Sequence, residues 1–150
     1  MSRHLHPTDV DDLKEGRGGE YVDISAQMLV FVSDGYFMSP NCMRELLRAY
    51  CMRKPIIPVC EINENKGGLK PSVVLERLHE ASELYEAWGL AAEMREWRKL
   101  TIEFRQPTAQ ELYDMLKLEG SVAAGGAIYW ERYACLLTQW DLACAHMATQ

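Results

Sequence analysis

Two apolar runs, Met28-Leu-Val-Phe-Val32 and Ile56-Ile-Pro-Val-Cys60, constrain this chain more than any other feature. Each is rich in β-branched or aromatic residues and bounded by turn formers, the pattern of a strand covered on both faces, as in a parallel sheet. Parallel strands need a crossover of a dozen residues or more between them, usually a helix. The intervening segment supplies it. Ser39 is placed to cap a helix and Pro40 suits its first position, where the missing N–H is not needed. Met43, Leu46, Leu47, Tyr50 and Cys51 then fall on one apolar stripe. Arg44, Glu45 and Arg48 lie on the opposite side, where solvated residues with surface ion pairs worth about 0.5 kcal/mol are expected. Arg53 and Lys54 complement the helix dipole in the last turn, and Pro55 stops the helix. Pro58 inside the second run gives up a ladder hydrogen bond and favours an edge or bulge position.

Around this strand–helix–strand unit the pattern is mainly helical. The first 20 residues are polar and glycine-bearing and read as a loop, with a short helix over 20–26. Ser33-Asp34-Gly35 and Lys66-Gly67-Gly68 read as turns. Ser72 opens a helix that Gly89 ends or kinks, and 91–100 forms another. Thr101-Ile-Glu-Phe104 suggests a last short strand. Thr108 and Glu111 match a capping box ahead of Leu112, Met115 and Leu116. After a glycine-rich break at 120–126, residues 127–147 read as an apolar terminal helix. The order strand, helix, strand, helices, strand, helix argues for an α/β fold with a largely parallel sheet.

Composition sets outer bounds. The chain has 150 residues, enough for one domain with a core of its own. Its formal net charge of −6 argues against nucleic acid or an anionic membrane as a partner, since both are polyanions. The five cysteines, Cys42, Cys51, Cys60, Cys135 and Cys144, are odd in number and form no C-x-x-C pair. A disulfide framework or structural zinc is not expected, and a reducing, cytoplasmic setting is. Nothing at the N-terminus reads as a signal peptide, and no apolar run reaches the roughly 18 residues of a membrane span.

The run Val32-Ser-Asp-Gly-Tyr-Phe-Met-Ser-Pro-Asn-Cys-Met-Arg-Glu-Leu46 resembles the signature of Toll/interleukin-1 receptor (TIR) domains. In that family a buried strand ends in Ser; a Tyr or similar residue, a second Ser, Trp-Cys or a variant, and Glu-Leu on a helix then follow. The matching positions here are Ser33, Tyr36, Ser39, Cys42, Glu45 and Leu46, with Asn41 in place of the tryptophan. Pro55-Ile-Ile-Pro-Val59 is similar to the family's next strand, and Asp11-Asp-Leu-Lys-Glu-Gly16 to an upstream loop. The resemblance covers roughly residues 9–69.

What it implies is a flavodoxin-like, TIR-type parallel sheet flanked by helices. Residues 1–106 would form that domain, lacking the family's first strand and so N-terminally incomplete. Residues 107–150 would be a helical extension packed on it. Many TIR domains cleave the nicotinamide–ribose bond of NAD⁺, and others act only as self-associating adaptors. Carried over, Glu45 is the catalytic carboxylate, Ser33, Tyr36 and Ser39 help bind substrate, and Gly16 lies in a loop beside the site. NAD⁺ would be substrate rather than cofactor, no metal is required, and homotypic association completes the site. A non-catalytic interaction module and an inactive truncated paralogue are the alternatives.

Each of these residues also has a plainer reading. Ser39 is first a helix cap, Ser33 and Tyr36 shape a turn, Cys42 is a packed thiol, and Glu45 is a solvated glutamate. His4 and His6, beside Asp9, Asp11 and Asp12, sit on too polar a terminus to hold a metal firmly. His79 and His146 have no nucleophile partner in the sequence, and the four tryptophans follow no stacking period.

Overall fold

The computed structural model describes residues 18–101, 103–118 and 128–130. Helix α1 (Gly18–Ile24) leads into strand β1 (Met28–Val32), helix α2 (Pro40–Cys51) and strand β2 (Ile56–Glu61). A short 3₁₀ turn (Glu64–Lys66), helices α3 (Pro71–Leu84), α4 (Leu90–Trp97) and α5 (Ala109–Leu116), and strand β3 (Ile128–Trp130) follow. The strands form one parallel sheet in the order β1-β2-β3, with Met28 opposite Ile56 and Val59 opposite Ile128. The chain is therefore a mixed α/β protein with a parallel sheet. Among the described residues no helix is long and apolar enough to cross a membrane.

Local chemistry accounts for the element ends. Ser39 is the N-cap of α2, its Oγ accepting a hydrogen bond from the Cys42 N–H, and Pro40 opens the helix. The Thr108–Glu111 capping box of α5 is complete in both directions. Gly89, at φ 75°, turns the chain from α3 into α4 through a conformation that strains residues with a Cβ.

Buried stripes meet in one cluster that joins Val30 and Val32 of β1, Met43, Leu46 and Leu47 of α2, Val74 and Leu78 of α3, Met94 of α4 and Leu112 of α5. β2 is buried from Pro58 through Glu61, as a central strand should be. Its pairing with β3 begins at Val59, so Pro58 sits where the strand has a described partner on one side only.

Four expectations are corrected. β1 is not covered on both faces: Val30 and Val32 are fully buried, but Leu29 and Phe31 are 55% and 50% exposed. The packed helices cover one face, and the strand shows the alternation of a half-buried edge rather than the all-apolar burial of an inner strand. The described residues of the 101–104 segment, Thr101, Glu103 and Phe104, form no strand. The segment passes the C-terminal end of α2, where Phe104 is held by ring contacts to Tyr50 and Trp97 at 6.5 and 6.2 Å. The expected terminal helix over 127–147 does not begin at its start, because Ile128-Tyr-Trp130, a β-branched and aromatic run, pairs with β2 instead. Its remainder, the glycine-rich break and the loop bearing Gly16 lie outside the described residues.

The fourth correction concerns the polar side of α2, which is not a wet face. Arg48 is buried and makes a two-pronged pair with Asp23 of α1, at 2.7 and 2.5 Å, while its guanidinium lies 5.3 Å from the centre of the Trp97 ring. Arg44 reaches α4, its Nε donating to both Glu93 oxygens at 3.0 and 2.9 Å. Two arginines that local periodicity assigns to solvent thus fasten α1 and α4 to the flank of α2.

Candidate functional site

The carboxyl end of β1 and the N-terminal half of α2 carry the residues singled out by the TIR resemblance. Ser33 ends the strand half-buried, and residues 34–38 form the turn to Ser39. The turn is held at both ends: Asp34 N–H donates to the Gly67 carbonyl at 2.9 Å, and Tyr36 N–H to the Ser33 carbonyl at 3.0 Å. The loop after β2 is therefore tied to the loop after β1. In a parallel α/β sheet this rim, beyond the carboxyl ends of the strands, is where ligand crevices form.

Phe37 fills the core beneath the turn and holds Tyr36 edge-on, with ring centres 5.3 Å apart. The Tyr36 hydroxyl is buried with no hydrogen-bond partner among the described residues. Burial raises its pKa strongly, and the nearby Cys42 thiol and Glu45 carboxyl raise it further, so the phenol stays protonated. Tyr36 and Glu45 are thereby brought into one electrostatic neighbourhood.

Glu45 is half-buried, and burial raises its pKa above the ordinary carboxylate value, with Arg44 opposing the rise. Arg44 and Arg48, the cations beside it in sequence, are committed to Glu93 and Asp23. The surface ion pair expected for Glu45 is absent among the described residues. A carboxylate without a fixed partner, partly withdrawn from water, acts more strongly on a nearby developing positive charge than a solvated one does.

Ser39 is spent on the cap, its oxygen already accepting the Cys42 N–H at 3.3 Å. Tyr36 thus feels the charges of Cys42 and Glu45 near the start of α2, and Ser33 lies at the adjoining strand end. Gly16 lies outside the described residues. A cavity of about 390 Å³ opens at the other end of α2, and Ser33, Tyr36, Ser39 and Glu45 do not line it.

One residue on the rim was missed by sequence reasoning. Glu61, the last residue of β2, is buried, and its Oε1 accepts the Asn63 N–H at 3.0 Å. An acid directly after an apolar strand run was the available signal, since that register puts it at the sheet's carboxyl edge. The chain packs tightly there: a Cβ on Gly68 would fall 2.6 Å from the Glu61 carbonyl oxygen. Among the described residues no group of three or more His, Cys, Asp or Glu side chains is arranged to hold a metal ion.

No protein-family model, curated protein or solved structure matches the chain.

Proposed function

We propose that the chain is a TIR-type signalling module of flavodoxin-like topology that hydrolyses NAD⁺ at its nicotinamide–ribose bond. One observation carries the reading. Glu45, on the helix that follows a parallel strand, is half-buried, has no fixed ion partner among the described residues, and shares its surroundings with the unpartnered hydroxyl of Tyr36.

The chemistry asks for little more. The bond between ribose C1′ and the pyridinium nitrogen breaks, and nicotinamide leaves neutral with the electron pair. C1′ takes on oxocarbenium character, which a nearby carboxylate stabilises. Water then adds its oxygen to C1′ and releases a proton, giving nicotinamide and ADP-ribose. Glu45 supplies the carboxylate, while Tyr36, whose protonated hydroxyl is buried, forms the wall behind it. Ser33 borders the site, and Ser39 acts by fixing the start of α2. The reading sets the protein in a reducing cytoplasm, in keeping with free thiols at Cys42, Cys51 and Cys60.

Nicotinamide release from NAD⁺ by concentrated protein, followed by chromatography, tests the proposal. Glu45→Gln should abolish release and leave the circular dichroism spectrum unchanged. No release from the wild-type protein, or full activity in the variant, refutes it.

A second reading, a non-catalytic module that signals by self-association, is favoured by the half-exposed Leu29 and Phe31 on β1. Light scattering across a concentration series decides it: a mass that grows with concentration in wild type and not in Leu29→Lys supports association without catalysis.

A further inference from the structure

The cavity at the C-terminal end of α2 lies at the amino end of the sheet, away from the rim that carries Glu45. Along the helix axis, eight residues of α-helical rise separate Glu45 from Arg53, roughly 12 Å. Its volume, about 390 Å³, falls within the range of small-molecule sites. Tyr50 and Phe104 supply aromatic wall, and among the described lining residues Arg53, Lys54 and Arg105 are cations and Glu103 an acid, with Glu111 paired to Arg105 beside them. In a chain of net charge −6, that local excess of positive charge is out of keeping with the whole.

Two of the cations are unusual. The Lys54 ammonium is half-buried and, among the described residues, donates only to main-chain carbonyls, those of Asp23 at 2.8 Å and Ser25 at 3.0 Å. No described carboxylate pairs with it, so its charge is solvated by dipoles and left without a counter-ion. Arg53 sits at φ 52°, in the left-handed region, as the residue just past the cap of α2. Its N–H donates to the Tyr50 carbonyl and the Lys54 N–H to the Ala49 carbonyl, the two bonds of a Schellman turn. Glycine occupies that position at least strain, so an arginine there holds a guanidinium at the cavity mouth at the expense of stability. Its described partner is Glu103 at 2.7 Å, and both side chains are about four-fifths exposed, a pair that an incoming anion opens readily. Arg105 keeps its pairing with Glu111 and borders the cavity.

We infer that this cavity binds a small aromatic anion, a carboxylate or phosphate carried on a planar ring. The ring lies against Tyr50 and Phe104, and the anionic group displaces Glu103 from Arg53 and neutralises Lys54. The site is separate from the proposed NAD⁺ chemistry, and the Glu45→Gln variant binds as wild type does.

Titration calorimetry and amide NMR with 5′-AMP and indole-3-carboxylate, each beside its neutral counterpart (adenosine, indole) and inorganic phosphate, test the inference. At least one ring-bearing anion should bind with Kd below about 1 mM, and the neutral counterpart and phosphate alone at least about tenfold more weakly. Whichever anion binds tighter identifies the anionic group. Arg53→Gly should raise the melting temperature of the free protein and weaken binding about tenfold, a combination that misfolding cannot produce. Lys54→Met should also weaken binding. Equal binding of anion and neutral ring, no binding of either anion, or unchanged affinity in Arg53→Gly overturns the inference.

Discussion

Asp23→Ala is expected to destabilise the protein far more than Arg48→Met, although both break the same pair. The Arg48 side chain is only 10% exposed, whereas that of Asp23 is 29% exposed. Removing the carboxylate strands a guanidinium between α1, α2 and the Trp97 ring, with two directed hydrogen bonds lost. Breaking a fully buried pair in this way costs about 3–5 kcal/mol, and the partial exposure of Asp23 brings the figure down to roughly 2–3 kcal/mol. For a chain of this length that is a fall in Tm of roughly 4–12 °C. Arg48→Met leaves an apolar chain of similar length against Trp97 and an aspartate that water can reach, so its cost is about 1 kcal/mol or less. The double variant should sit close to Arg48→Met, because the stranded charge is gone. Urea denaturation followed by circular dichroism, read as a double-mutant cycle, measures all three. If Arg48→Met proves as costly as Asp23→Ala, the asymmetry argued from burial is wrong.

Further outcomes follow from the same geometry. Tyr36→Phe removes a buried hydroxyl that lacks a described partner, so urea unfolding should show a gain of up to about 1 kcal/mol. The Glu45 pKa is raised in the fold, so its charged form opposes folding: stability falls as pH rises from the ordinary carboxylate value through the raised one. Thermal melts should therefore show Glu45→Gln more stable than wild type at pH 7 and level with it below about pH 4. Gly68→Ala places a Cβ 2.6 Å from a main-chain oxygen and should cost about 1–3 kcal/mol in chemical denaturation. Thr108→Ala should cost about 1 kcal/mol through loss of the α5 cap. Arg105 and the cap hold the Glu111 pKa down at about 2. The stability it adds is present above the ordinary carboxylate value and disappears as pH falls toward 2, so the gap between wild type and Glu111→Gln should close over that interval.

What the sequence made legible was local. Ser39 and Pro40 at the start of α2, the Thr108–Glu111 box and the two apolar runs each write their structure within a few residues, and parallel pairing follows from the helix between the runs. The second coat on α2 was not legible, because it depends on pairs 25 and 49 residues apart, Arg48–Asp23 and Arg44–Glu93. Periodicity sees only that both arginines face away from the main stripe. The exposure of Leu29 and Phe31 was hidden for a related reason: an all-apolar run looks the same whether one face or two are covered. At the candidate site, Tyr36 and Glu45 could be named from the resemblance, but the buried state of the tyrosine hydroxyl depends on Phe37 and the turn above it. Phe104 had the composition of a strand residue and became a plug between Tyr50 and Trp97.

The sheet register also sets when each strand's partner becomes available during synthesis. Met28 and its partner Ile56 are 28 positions apart, whereas Val59 and its partner Ile128 are 69 apart. Closing the longer loop costs only about 0.8 kcal/mol more, so the difference is chiefly one of timing. β1, α2 and β2 are all synthesised before residue 128, so the flank of β2 that pairs with β3 has no partner until residue 128 has left the ribosome. At roughly 5–20 residues per second that interval lasts several seconds, during which a neighbouring nascent chain has access to a strand edge that the finished protein keeps for itself.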